Sequence, residues 1–273
     1  MPNLYANLSQ LRARFSGVES FSDDPLLLVK LEEASRSLDA ACHRHFFAEI
    51  VTRKYKYLEK NELLINDGFD LLSVDTLTTD NDTTTIVAAD YFLMCGDSDN
   101  IQPYNRIEIN SGGSASFGYS TTPQQANKII GVWGYHNRYA SAWALSGATV
   151  NETFTDSDTT LTVSGATKFE SGQTIQIESE WLYISYRGND LTVERGVNGS
   201  TAASHASGTA ISIYRPMVDV REVTLEYAAF LYRRGEAHPV TFESSFTADG
   251  GTEIPPLAPS SIHRFVKRYR RAI

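Results

Sequence analysis

The sequence predicts an α+β protein: a helical bundle with helices near 22–51 and 216–234, an exposed β region, and an inserted small β-barrel or sandwich. Three observations predict it. Leu27, Leu31, Ala34, Leu38 and Ala41 recur at three-four spacing, the period of one helix face. Val220, Val223, Tyr227, Ala228 and Leu231 do the same near the other end of the chain. Between them lie short β-branched and aromatic runs separated by Gly, Asp, Asn and Ser clusters, the pattern of strands and turns. The expected division is 1–148 as a helical and β core and 149–214 as the inserted β domain. Residues 215–273 supply a completing helix, a Pro-rich linker and a basic C-terminal arm.

The elements follow in order. A short helix is expected around Leu4 to Phe15. The long helix over 22–51 starts where Asp24 can cap it and Pro25 suits the first turn. From Thr52 to His136 the runs KYKYLEKNELLI, TTTIVAADYFLM, NRIEI and KIIGVWGY alternate with DNDT, GDSDN and NSGG. Residues 149–214 repeat the pattern with TTLTVSG, QTIQIES, EWLYISY, DLTVERG and TAISIY. Arg187-Gly188-Asn189-Asp190 reads as a hairpin turn, because Gly and Asn tolerate positive φ. Pro216 can open the last helix, with Asp219 and Glu222 in its first turn. Arg233 and Arg234 close it before Gly235. EIPPLAPS is expected to be an extended linker.

Charge divides the chain unevenly. The whole carries −9, yet SIHRFVKRYRRAI, residues 261–273, holds five cations and no acid, which leaves the remainder at −14. Such a body is a poor nucleic-acid binder, and the tail is where an acidic partner is invited. As a helix, Ile262, Phe265, Val266 and Tyr269 would share one face, with Arg264, Lys267, Arg268 and Arg271 spread over the others. Apolar anchors with charges around them are the composition of a docking helix. The arm Arg264, Phe265, Lys267, Arg268, Tyr269, Arg270 and Arg271 is therefore expected to dock on a partner, with Phe265 and Tyr269 as anchors.

Motifs for chemistry are weak. No phosphate-cradling loop, dinucleotide fingerprint or nucleophile elbow occurs. Cys42, His43 and His45 sit close together, but no second Cys/His pair stands at zinc spacing. Glu178 and Glu180 would share a strand face about 7 Å apart, within the range of a glycosidase pair. A solvent-facing sheet edge gives the same pattern. Trp133, Tyr135, Tyr139 and Trp143 are read as core or subunit-contact aromatics. Cys42 and Cys95 are expected to be free thiols. No cofactor or metal is expected. No apolar run reaches the length of a membrane span. The N-terminus lacks the apolar stretch of a signal peptide, so synthesis in the cytosol is expected.

Four blocks then stand in one order: LLLVKLEEASRSLDAACHRHFF, ELLINDGFDLLSVDTLTTD, DYFLMCGDSDNIQPYNRIEI and IIGVWGYH. Their order and spacing, over about 22–148, resemble the head–tail connector (adaptor) proteins of tailed bacteriophages, the head-completion family. TLTVSGATKFESGQTIQIESEWLYIS and LTVERGVNGSTAASHASGTAI look like a small β module that recurs in phage structural proteins, and VREVTLEYAAFLYRRGEA looks like the family's closing helix.

The resemblance implies a non-enzymatic virion protein, made in the host cytoplasm and sited at the head–tail interface. It implies a closed ring of about twelve copies with head-to-tail subunit contacts. The ring would sit beneath the portal protein, touch tail or neck proteins, and pass genomic double-stranded DNA without sequence-specific binding or any membrane contact. The basic arm looks like the segment that reaches the portal. The insert departs from the smallest connectors, and its role does not carry over. Two other readings stand beside this one: a phage receptor- or carbohydrate-binding protein that uses the β insert, and a virion glycosidase that uses Glu178 and Glu180.

Overall fold

The computed structural model describes residues 3–15, 23–65, 67–99, 102–237 and 258–271. It corrects the expected fold class. The described chain is mostly β, with three antiparallel sheets and four helices, not a helical bundle carrying a β insert. It divides into two compact units, one formed by 1–46 with 140–272 and the other by 47–139.

The long helix is shorter than its expected 22–51, and residue 22 lies outside the described residues. Helix α1 covers Leu8–Arg12 and α2 covers Asp24–Cys42. The N-cap of α2 is Asp23, not Asp24, which is instead paired with Arg12. The helix stops because His43 turns left-handed, with φ 50° and ψ 42°, and its N–H closes on the Ala40 carbonyl. The next apolar run, EIVTRKY, lacks helical spacing and extends as strand β1, Glu49–Tyr55. An apolar stripe ending at Cys42 therefore builds fewer helical turns than the bundle reading required.

In the unit 47–139, β1 is followed by β2 (Glu62–Leu64), β3 (Leu71–Thr79), β4 (Thr84–Ile86), β5 (Tyr91–Cys95), β6 (Ser98–Asp99), β7 (Arg106–Ile109) and β8 (Asn127–Trp133). They form two four-stranded sheets, β1-β8-β3-β4 and β2-β7-β5-β6. Leu71, Leu77, Ile129 and Trp133 from the first meet Leu63, Ile107 and Ile109 from the second in one core. Strand β8 is central. Gly131 pairs with Val51 on one side and Val74 on the other, and a Cβ there would lie 2.2 Å from the Ser73 carbonyl oxygen. Only glycine fits.

In the unit 1–46 with 140–272, the sheet begins before residue 149. Strand β9, Trp143–Thr149, precedes β10 (Thr160–Leu161), β11 (Thr174–Ile177), β12 (Glu180–Arg187), β13 (Leu191–Glu194) and β14 (Ala210–Tyr214). The sheet order is β10-β13-β12-β11-β14-β9. Its core is Ala148, Phe154, Leu161, Phe169, Ile175, Ile177, Leu182, Ile184, Val193, Ile211 and their neighbours. All of these belong to the 148–211 segment.

Helix α3, Val218–Ala237, packs along α2, and α4, Ser260–Tyr269, packs on both. Leu27, Leu31 and Leu38 of α2 are fully buried, each contributing about 2 kcal/mol of apolar burial. Val220, Val223, Tyr227 and Ala228 are buried on α3 as the stripe requires, with Tyr232 buried where Leu231 was expected. The helix runs on through Gly235 instead of ending before it. Most of the Pro-rich stretch, including Pro255 and Pro256, lies outside the described residues. Among the described residues, no helix is long and apolar enough to cross a membrane.

Candidate functional site

The C-terminal arm folds back on its own unit. Ile262, Phe265 and Tyr269 of α4 are buried. The Phe46 ring receives Phe265 at 5.6 Å and Tyr269 at 5.9 Å between centroids, and the latter two lie 4.6 Å apart. Arg44 Nε donates to the Tyr269 carbonyl at 2.7 Å, the Arg271 N–H donates to the Cys42 carbonyl at 3.0 Å, and the Tyr269 hydroxyl meets Asp219. Arg44, Arg270 and Arg271 thus gather at the C-terminal end of α2, where the helix dipole favours cations. The expected anchors Phe265 and Tyr269 are spent on the chain's own core.

What the helix leaves outside is cationic. His263, Arg264, Lys267, Arg268 and Arg270 are all exposed, and α4 holds no acid. At 3.6 residues per turn, His263, Lys267, Arg264 and Arg268 cover an arc of about 140° on the side away from the buried residues. Arg264, Lys267 and Arg268 make no ion pair with any described residue. Many cations elsewhere are paired with acids, among them Arg12 with Asp24, Lys30 with Glu33, Arg36 with Asp39, and Lys54 and Lys128 with Asp82. Those two lysines hold the Asp82 carboxyl below its ordinary range, Lys128 foremost. On a chain of net charge −9, an unmatched cationic strip stands out as a site.

The Glu178–Glu180 pair is not a free acid–base couple. Glu178 occupies the β11–β12 turn in a left-handed conformation, φ 53°, and is exposed, whereas Glu180 is fully buried. Arg195 grips Glu180 through Nε and Nη2, both at 2.7 Å. The Gly196 and Ala203 N–H groups donate to the same carboxylate at 3.1 Å each. His205 stands between the acids, Nδ1 2.8 Å from Glu178 and Nε2 2.8 Å from Glu180. The remaining Arg195 donors reach the carbonyls of Thr155, Asp158 and Ala203, so all five are used. Burial raises the Glu180 pKa, but the Arg195, His205 and Ala203 hydrogen bonds outweigh it and hold the carboxyl below its ordinary value. This network staples the 154–158 loop and residues 203–205 to β12. Strand parity was the signal for it, since Glu180 shares a strand face with Leu182 and Ile184, both buried.

The remaining candidates separate. Trp133 is core in its unit, with Nε1 donating to the Val51 carbonyl at 3.0 Å. Tyr135 and Tyr139 are half-buried in the same unit, the Tyr139 N–H donating to Gln102 at 2.6 Å. Trp143 belongs to the other unit and packs on Trp181 and Tyr214, both at 5.1 Å. Cys42 is buried and Cys95 half-buried, and both are free. Burial pushes the Cys42 thiol up to about 12. Among the described residues, no three His, Cys, Asp or Glu side chains gather to hold a metal.

A second buried carboxyl escaped the sequence reading. Asp39 accepts the Tyr5 hydroxyl at 2.6 Å and the Phe46 N–H at 3.3 Å, and pairs with Arg36 at 2.9 Å. Burial raises it to about 6, against the opposing pull of Arg36. Its position one residue after Leu38, on the buried stripe, was the available sign.

Against protein-family models and curated proteins alike, the chain has no match.

Proposed function

We propose that this chain is a non-enzymatic structural subunit of a phage virion. In this reading it forms a ring beneath the portal that extends the DNA channel and joins head to tail. The four sequence blocks and the closing helix, which resemble connector subunits in order and spacing, are the starting point. The one observation that carries the reading is on the solvent side of α2, where Leu26 and Val29 stand 47% and 55% exposed. Val218, at the start of α3, is 64% exposed. Two exposed apolar side chains one turn apart on α2 support contact with a second copy of the chain, and head-to-tail repetition of one contact makes a ring when its rotation closes. The net negative body suits a channel wall, because cations facing phosphate would hold the duplex. The buried, fully bonded Glu180 weighs against the glycosidase reading.

Negative-stain images of the purified protein, alone and with its cognate portal protein, test this. Closed rings, or density added to one end of the portal ring, are expected. A trimer or monomer that ignores the portal and binds host envelope saccharide would replace the connector reading with the receptor-binding one.

A further inference from the structure

We infer that the solvent face of α4 binds the phosphate backbone of a nucleic-acid duplex. The inference does not rest on the ring reading; it follows from how α4 divides its two faces. A helix that docks on a protein must offer apolar or aromatic anchors, since these supply most interface affinity. Here Ile262, Phe265 and Tyr269 are already buried in the chain's own core. Facing out are Ser260, His263, Arg264, Lys267, Arg268 and the following Arg270, with Val266 half-buried.

Arg264, Lys267 and Arg268 lack any ion pair with a described residue, although the chain has nine more acids than Lys and Arg together. An unneutralised strip of this kind matches a polyanion whose contacts are phosphates and not carboxylates on a shaped surface. Arg264 and Arg268 stand one turn apart, about 6 Å along the helix, and Lys267 lies beside Arg264 on the wheel, between it and His263. Tyr269, the one tyrosine of α4, is buried, so the exposed face has no Phe, Tyr or Trp platform on which single-stranded bases could stack. Nor does that face carry Asn or Gln to read adenine edges. The recognised object is therefore a duplex backbone, bound chiefly through its phosphates, and the acidic body confines binding to this strip.

The test is fluorescence anisotropy of the full-length protein with a labelled 20-base-pair DNA duplex. Three to four phosphate contacts predict a log–log salt slope of about −2.7 to −3.6, a loss of roughly 40- to 150-fold in affinity between 50 and 200 mM salt. The triple variant R264Q/K267Q/R268Q should flatten the slope by about 2.7 and weaken binding at least tenfold at 50 mM salt. Circular dichroism checks that it stays folded. The paired variant R264K/R268K, which keeps the charge, should retain binding. Absent duplex binding at 50 mM salt, or equal binding by the triple variant, would overturn the inference. Tighter binding of a polyglutamate peptide than of the duplex would also overturn it, in favour of an acidic protein surface. Because the assay uses no portal, failure of the ring reading would leave its outcome unaffected.

Discussion

Phe265 packs its ring 5.6 Å from that of Phe46, and this contact fastens the end of the chain to the segment that follows α2. The Arg271 N–H to Cys42 carbonyl bond lies beside it. Phe265→Ala removes a buried aromatic ring and should cost about 3 kcal/mol. Most of the loss should appear as local opening of α4. Hydrogen exchange should show fast exchange over 260–271 with little change in the sheet around Ile175. Native Cys42 should resist iodoacetamide at pH 8 while half-buried Cys95 reacts, and F265A should make Cys42 reactive. Unchanged protection of both α4 and Cys42 would show that the anchors are not what holds the arm down.

Arg195 is the one cation held inside the small sheet's ion network. Removing it strands the buried Glu180 carboxylate, and loss of one partner of a buried pair typically costs about 3–5 kcal/mol. Arg195→Ala should lower the midpoint of thermal unfolding sharply. Arg195→Lys should recover only part, since an ammonium cannot reproduce the fork that reaches Glu180 through two nitrogens. The double variant R195M/E180L, which removes both charges, should be closer to the parent than R195A. A parent-like R195A would mean that the network is not fully excluded from water.

Asp39 predicts a pH dependence. Its folded pKa is raised to about 6 by burial, against roughly 3.9 in an unfolded chain. The native state therefore holds the proton more tightly. Its contribution is fully present below about pH 4 and is lost as pH rises through about 6, a change of about 3 kcal/mol. Asp39→Asn keeps an acceptor for the Tyr5 hydroxyl and removes the titration. Urea midpoints measured from pH 4 to pH 7.5 should show the parent losing stability relative to D39N over that window. Parallel curves would sink the prediction.

Periodicity made some of this legible and hid the rest. The α2 and α3 stripes were visible because Leu27, Leu31, Leu38, Val220 and Val223 repeat at the helical period. The helix end was missed because His43 carries no glycine signal, though it adopts the conformation that glycine usually takes. Strand β9 was missed because WALSGAT mixes small and polar residues, with Leu145 largely exposed, so its place depends on pairing with distant β14. The overall class went wrong for the same reason: strand pairing is non-local, and long helical stripes dominate a local reading. The cationic arm was legible by composition. Its direction was not, because an apolar helix face looks the same whether its partner is another protein or the same chain. The Glu178–Glu180 reading assumed one continuous strand, and a turn at Glu178 separates them.

Gly131 predicts a backbone-level effect. A methyl group there would sit 2.2 Å from the Ser73 carbonyl oxygen, where no flexible side chain can yield. Gly131→Ala should cost about 1–3 kcal/mol through forced separation of β3 and β8. Exposed Gly68, with φ 90° and open space around it, is the control: its strain is torsional, so G68A should cost less. Calorimetry on both variants checks the order, and a reversed order would mean the sheet relaxes freely around residue 131.

The small sheet should fold as a fragment. Its core residues all fall between Ala148 and Ile211, and its ends are adjacent because β9 pairs with β14, Trp143 facing Tyr214. One step outward, the Arg215 N–H donates to the Ala142 carbonyl at 2.7 Å. The cut therefore belongs at 142 and 215, not at the 149 and 214 suggested by the sequence, which would discard an edge strand and leave β14 unpaired on one side. The ion network around Glu180 also lies within the fragment and ties its loops together. Tolerated insertions have their ends close together and carry their own core. A peptide spanning 142–215 should unfold cooperatively with a dispersed amide spectrum. The same peptide begun at 150 should be less stable and prone to self-association through the bared edge of β14. If the longer fragment is molten while the intact protein is well ordered, the sheet depends on packing against the Leu4 and Leu28 side chains near Gly172, and its autonomy is lost.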